Sequence, residues 1–149
     1  MYTIEIQNLN LQDAQGRILG AVENLCDSFG LEDQFGVLSY GMHELISLIE
    51  RNTDDQHYEF SVNFYIQNDR VSVQVLSPQS LGDIAHMIDT ATYEDAETAG
   101  FIVSQLTDSR ELRNDGRELW LDIMVTPTFP VADRAEILAH NTVKQLQRF

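Results

Sequence analysis

Phe60-Ser61-Val62-Asn63-Phe64-Tyr65-Ile66, then Gln67-Asn68-Asp69, then Arg70-Val71-Ser72-Val73-Gln74-Val75: apolar residues alternate with polar ones on both sides of a turn-forming triplet. Alternation with a period of two places every second side chain on one face, and a short polar turn between two such runs makes an antiparallel hairpin with one face on a core. Toward the C-terminus the same grammar returns, with Ser109 to Arg113 and Glu118 to Val125 flanking Asn114-Asp115-Gly116. Toward the N-terminus, Thr3, Glu5 and Gln7 alternate with Ile4 and Ile6 after Tyr2, which reads as a short half-buried strand.

Helical spacing fills the intervals. From Asp13 to Phe29 the residues Ile18, Val22, Leu25, Cys26 and Phe29 recur at three and four, and Gly30 supplies a stop. A second helix is expected from about Glu32 to Asn52, burying Leu38, Met42, Leu45, Ile46 and Ile49, with Gly36 and Gly41 weakening it locally. A weak helical stretch follows around Leu81 to Ile88. Asp89 to Glu97 lacks strong periodicity and reads as a mobile loop or lid. Ala99, Ile102, Val103 and Leu106 mark another helix. Beyond Pro127 and Pro130, Val131 to Phe149 reads as a helix with Ala132, Ala135, Ala139, Val143 and Leu146 along one side, packed on its own domain or against a second copy in a homodimer. The expected fold is α/β in the α+β sense. It is a two-layer sandwich of a mixed or mostly antiparallel sheet with helices on one face, residues 1–126, extended by residues 127–149.

Composition narrows the chemistry. The chain has 149 residues, enough for one core without disulfides or a structural metal. Nine Lys and Arg stand against 24 Asp and Glu, and a net charge of −15 repels nucleic acid and anionic lipid. No run of about eighteen apolar residues exists to span a bilayer and the first residues lack a signal-peptide pattern, so a cytoplasmic location is expected. Cys26, the one cysteine, sits among Val22, Leu25 and Phe29 beside Glu23 and Asp27, a setting for a buried and unreactive thiol. His43, His57, His86 and His140 have no metal-ligand spacing; the second histidine that His43-Glu44 would need is Ser47. No nucleophile elbow, Walker loop or dinucleotide-binding glycine pattern is present.

Three segments, in this order, add a resemblance: Ser39-Tyr40-Gly41-Met42-His43-Glu44-Leu45-Ile46-Ser47-Leu48-Ile49, then Arg70-Val71-Ser72-Val73-Gln74-Val75-Leu76-Ser77-Pro78-Gln79, then Gly100-Phe101-Ile102-Val103-Ser104-Gln105-Leu106-Thr107-Asp108. Over roughly residues 1 to 125 the chain resembles the histidine-kinase-like (GHKL) ATPase fold, and within it the anti-sigma-factor serine kinases of bacterial partner-switching systems. The resemblance implies a general base at Glu44. It implies a magnesium-holding asparagine where Leu48 stands; Asn52 lies one turn further on along a similar face, displaced by about 6 Å along the axis from that position. The adenine-binding aspartate and the following glycine fall on Ser77 and Gln79. The glycine pair that meets the phosphates falls on Glu97 and Ala99, with Gly100 one residue out of register.

An alkyl group at Leu48 offers a hard cation nothing, Ser77 lacks the charge that strengthens an adenine contact, and Glu97 sets a carboxylate beside a triphosphate. The expectation is therefore a regulatory, protein-binding relative with weak or no ATP binding. Its partner would be a sigma factor or an antagonist, met through the first two helices and the segment after Ser77. The alternative is an ATP- and magnesium-dependent serine kinase using Glu44 as base and Asn52 for the metal. A small-ligand sensor built in the emptied pocket is a third possibility.

Overall fold

A computed structural model describes residues 1–92, 94 and 98–125. Glu97 and the expected C-terminal helix lie outside the described residues, as does most of the end of the expected lid. The element order is β1 (Tyr2–Asn10), α1 (Ala14–Ser28), a 3-10 turn (Glu32–Gln34), α2 (Phe35–Arg51), β2 (Glu59–Ile66), β3 (Arg70–Leu76), α3 (Gly82–Asp89), α4 (Ala99–Leu106), β4 (Ser109–Arg113) and β5 (Glu118–Met124).

Five strands form one sheet in the order β1-β2-β3-β5-β4, and every neighbouring pair is antiparallel. The alternation quoted above sets its two faces. Ile4, Phe64, Val73 and Leu121 face one another across four strands, and the last three are almost fully buried. Over them lies a helical layer in which α2 sits between α1 and α4, and α3 packs on α4. Among the described residues no helix is long and apolar enough to cross a membrane.

Local chemistry fixes the helix ends. Gly30 adopts φ 66°, and the Leu31 amide donates to Cys26 O at 2.9 Å, which closes α1 and drops Leu31 into the core. At the other end, Asn10 Oδ1 accepts from the Gln12 and Asp13 amides while Asp13 Oδ1 accepts from the Asn10 amide, so a reciprocal turn aims the chain into α1. The hairpin expected around Asn114-Asp115-Gly116 forms with φ 53°, 56° and 82°, the left-handed geometry such residues tolerate best.

Two boundaries differ from expectation. β1 continues past Gln7 to Asn10 because Asn8 turns left-handed at φ 56° and the ladder to β2 shifts between Ile6 and Leu9, returning Leu9 to the core. The second helix divides into a 3-10 turn and α2 near Gly36.

The opposite face of the sheet carries no helix among the described residues, yet Ser72 and Gln74 are 6% and 9% exposed on it. Side chains on the face cover them. Gln74 Oε1 accepts from Asn63 Nδ2 (3.0 Å) and the Tyr65 hydroxyl (2.8 Å), and Gln74 Nε2 donates to Glu118 Oε1 (2.6 Å), which also accepts from Trp120 Nε1 (3.2 Å). Ser72 Oγ donates to Asp122 Oδ1 at 2.7 Å. The Tyr65 and Trp120 rings stack at 5.4 Å, and the Arg113 guanidinium lies 4.8 Å from the centre of the indole.

Phe64 is the largest of the fully buried side chains, at the middle of the central cross-strand row. Phe64→Ala is expected to lower the unfolding free energy by about 3–5 kcal/mol in urea titrations, from lost burial and the cavity left behind.

Candidate functional site

Between the C-terminal end of α2 and the facing ends of α3 and α4 lies a cleft of about 460 Å³. Leu48, Arg51 and Asn52 come from α2 and its cap, Met87 from α3, Thr90 and Ala91 from the following turn, and Thr98, Ala99 and Gly100 from the start of α4. The fold thus gathers Leu48, Asn52, Ala99 and Gly100, which are distant in sequence. Glu44, Ser77 and Gln79 are not among the lining residues.

Leu48 faces this cleft from the buried side of α2 at 6% exposure. Asn52 is the C-cap of α2, and its Nδ2 donates to Leu48 O at 2.7 Å and contacts Met87 Sδ at 3.7 Å. Its amide is folded back on its own helix and on α3. Arg51 is the one charged side chain among the described lining residues, and its Nε donates to Ser47 O at 3.3 Å.

At the start of α4, Thr98 Oγ1 accepts from the Phe101 amide at 3.3 Å and caps the helix. Gly100 is a packing residue. A Cβ built on it would lie 2.8 Å from Met87 O and 3.2 Å from Met87 C, too close for any real side chain without separating α3 from α4. Its small size lets two helices touch.

Ser77 lies elsewhere, at the end of β3, buried at 8% exposure. Its Oγ is 2.6 Å from the Tyr58 hydroxyl and accepts from the Gln79 amide at 3.1 Å. Burial pushes the Tyr58 hydroxyl above its ordinary pKa, opposed by the Ser77 hydrogen bond, so Tyr58 stays a neutral phenol. Gln79 is exposed just beyond it. Glu44 is half-buried on α2 and makes no hydrogen bond or ion pair with the described residues.

Leu48 has no atom that can ligate a hard cation, Asn52 Nδ2 donates to Leu48 O, and the Ser77 hydroxyl is engaged by Tyr58 and the Gln79 amide. Among the described residues, no cluster of three or more His, Cys, Asp or Glu is placed to hold a metal ion.

Three arginines on the sheet strands pair with acidic side chains. Arg110 keeps only 23% of its side chain exposed and binds Asp89 Oδ1 (2.9 Å) and Thr107 Oγ1 (2.9 Å), tying β4 to the ends of α3 and α4. Arg70 pairs with Asp69 and Asp122, and Arg113 with Glu111. Sequence reading also missed Thr98, whose place just before the apolar run Ala99 to Val103 was the available cap signal. The contact of Met87 with Gly100 has no local signature at all.

No protein-family model matches the chain, and no curated protein matches it either.

Three outcomes check this packing. Gly100→Ala is expected to cost about 1–3 kcal/mol in chemical denaturation. Gly16→Ala, in the exposed part of α1 with open space around it, is expected to stabilise by up to about 1 kcal/mol. Cys26 is 2% exposed, and burial, aided by Asp27 and Glu32, pushes its thiol up to about 12. A disulfide reagent at neutral pH is expected to leave the native chain unlabelled and to modify it stoichiometrically in urea.

Proposed function

We propose that this chain is a non-catalytic regulatory domain of the anti-sigma-kinase type, acting in the cytoplasm by binding a protein partner rather than by phosphoryl transfer. The observation that carries the reading is the cleft itself. Where the resembled kinases hold magnesium the cleft has the aliphatic Leu48, where one phosphate-binding glycine would stand it has Ala99, and the neighbouring Gly100 is spent on helix packing; Ser77, at the adenine position, lies outside the cleft with its hydroxyl bound to Tyr58. A carboxylate at Glu44 has no bound phosphoryl group to act on in such a site.

The surface supports association. Leu19 on α1 and Tyr40 on α2 are 44% and 50% exposed. Leu19 lines a small groove between α1 and α2, about 170 Å³, together with Ile18, Val22 and Met42. Large apolar and aromatic side chains held on rigid helices are the usual anchors of protein interfaces. A sigma factor or an antagonist is the class of partner the resemblance points to, and the net charge of −15 disfavours nucleic acid as a direct ligand.

Isothermal titration with ATP and magnesium tests the reading against an active kinase. The expected result is no binding heat at millimolar nucleotide. Micromolar binding that disappears in Glu44→Ala or Asn52→Ala would establish the kinase instead.

A further inference from the structure

The groove between α1 and α2 is apolar and open to water. Ile18, Leu19, Val22 and Met42 line it, and Leu19 keeps 44% of its surface exposed. Along α1, Glu23 and Asp27 follow Leu19 at intervals of four, so the stripe that carries the outer wall of the groove continues as exposed carboxylates.

The chain holds a segment of matching chemistry within reach. β5 ends at Met124, and the Val125 amide donates to Asp69 O at 2.9 Å, beside the turn that joins β2 to β3. Tyr2, Ile66, Val71 and Ile123 form one cross-strand row at this end of the sheet, and the Tyr2 ring lies 5.1 Å from Phe29, the C-cap of α1. Three strand spacings, about 14 Å, separate β5 from β1, and residues 126–130 reach about 17 Å when extended, the conformation that Pro127 and Pro130 favour in the residues before them.

Residues 131–149 follow. At the helical spacing read from their sequence they measure about 28 Å, against about 22 Å for the fifteen residues of α1. One side of that spacing is apolar, with Ala135, Leu138, Ala139, Val143 and Leu146. Residues 126–149 also carry three of the nine Lys and Arg but only two of the 24 Asp and Glu, so this segment is net positive and the rest of the chain strongly negative.

We propose that residues 131–149 dock within the same chain on the α1–α2 groove, running antiparallel to α1 with their apolar side on Leu19 and Met42. Length carries them from the sheet end where α1 finishes back along that helix. Tethering favours them over a second copy or a foreign chain, because a linked segment has an effective concentration on the order of millimolar. A protein that uses this groove must displace them first, which makes the surface conditional. The proposal stands without the partner-binding reading.

Thiol labelling of the full chain tests it. Leu19→Cys on α1 and Ser39→Cys on α2 each place one reporter in the groove, and the buried Cys26 reports an intact core. The expected result is labelling at neutral pH at least about tenfold slower than in the same reporter combined with Val143→Glu and Leu146→Glu, with Cys26 unlabelled in both. Val143→Ala alone is expected to give an intermediate rate, and it keeps the comparison readable if the double substitution exposes Cys26. Reporters that label equally fast with and without these substitutions overturn the proposal. Protection that grows with protein concentration overturns it too, since a second copy then covers the groove.

Discussion

Burial of one face of β2, β3 and β5 is the constraint on which everything else rests. Phe64, Val73 and Leu121 meet across three adjacent strands, and the helical layer exists to keep them from water. Once that row is fixed, α2 must lie over the middle of the sheet with Leu45, Ile46 and Ile49 pointing down. Its C-terminal end is then carried toward α3 and α4, so the position of the cleft follows from hydrophobic burial at the sheet centre.

Much of this was legible in the sequence because its determinants are local. Alternation gave both hairpins, three-and-four spacing gave α1, α2 and α4, and Gly30 gave a helix end, each readable within a window of a dozen residues. What escaped depends on contacts between distant segments. Nothing around Gln7 announces that Asn8 will turn left-handed and that Arg17, nine residues on, will bind its carbonyl. No local pattern links Arg110 to Asp89, which becomes its neighbour only after folding.

The candidate site divides along the same line. Sequence reading named Leu48, Asn52, Ala99 and Gly100 as pocket positions, and these four line one cleft. It also placed Ser77 and Gln79 there, whereas Ser77 is held by Tyr58, a residue from the loop before β2 that no local pattern connects to it. Gly100 read as a residue one place out of register for a phosphate loop, but the Met87 carbonyl gives it a purely structural reason to be glycine. A glycine required for backbone approach to a ligand and one required for backbone approach to a helix look alike in one dimension. Only the neighbour distinguishes them.

The polar face of the sheet has a consequence for how the chain reaches one arrangement. Glu118, Trp120 and Asp122 alternate with the core residues Leu119, Leu121 and Ile123 along β5, and their partners Gln74 and Ser72 alternate with Val73 and Val75 along β3. Sliding β5 by one residue against its neighbour would drive two carboxylates beneath the helices and lift three aliphatic side chains into water. A slide by two residues would keep the faces but take Asp122 from its place opposite Ser72 in either direction, and carry Glu118 away from Gln74 in one of them. Aliphatic burial penalises odd slips and the hydrogen-bonded lattice penalises even ones, so the two faces together proofread the sheet during folding.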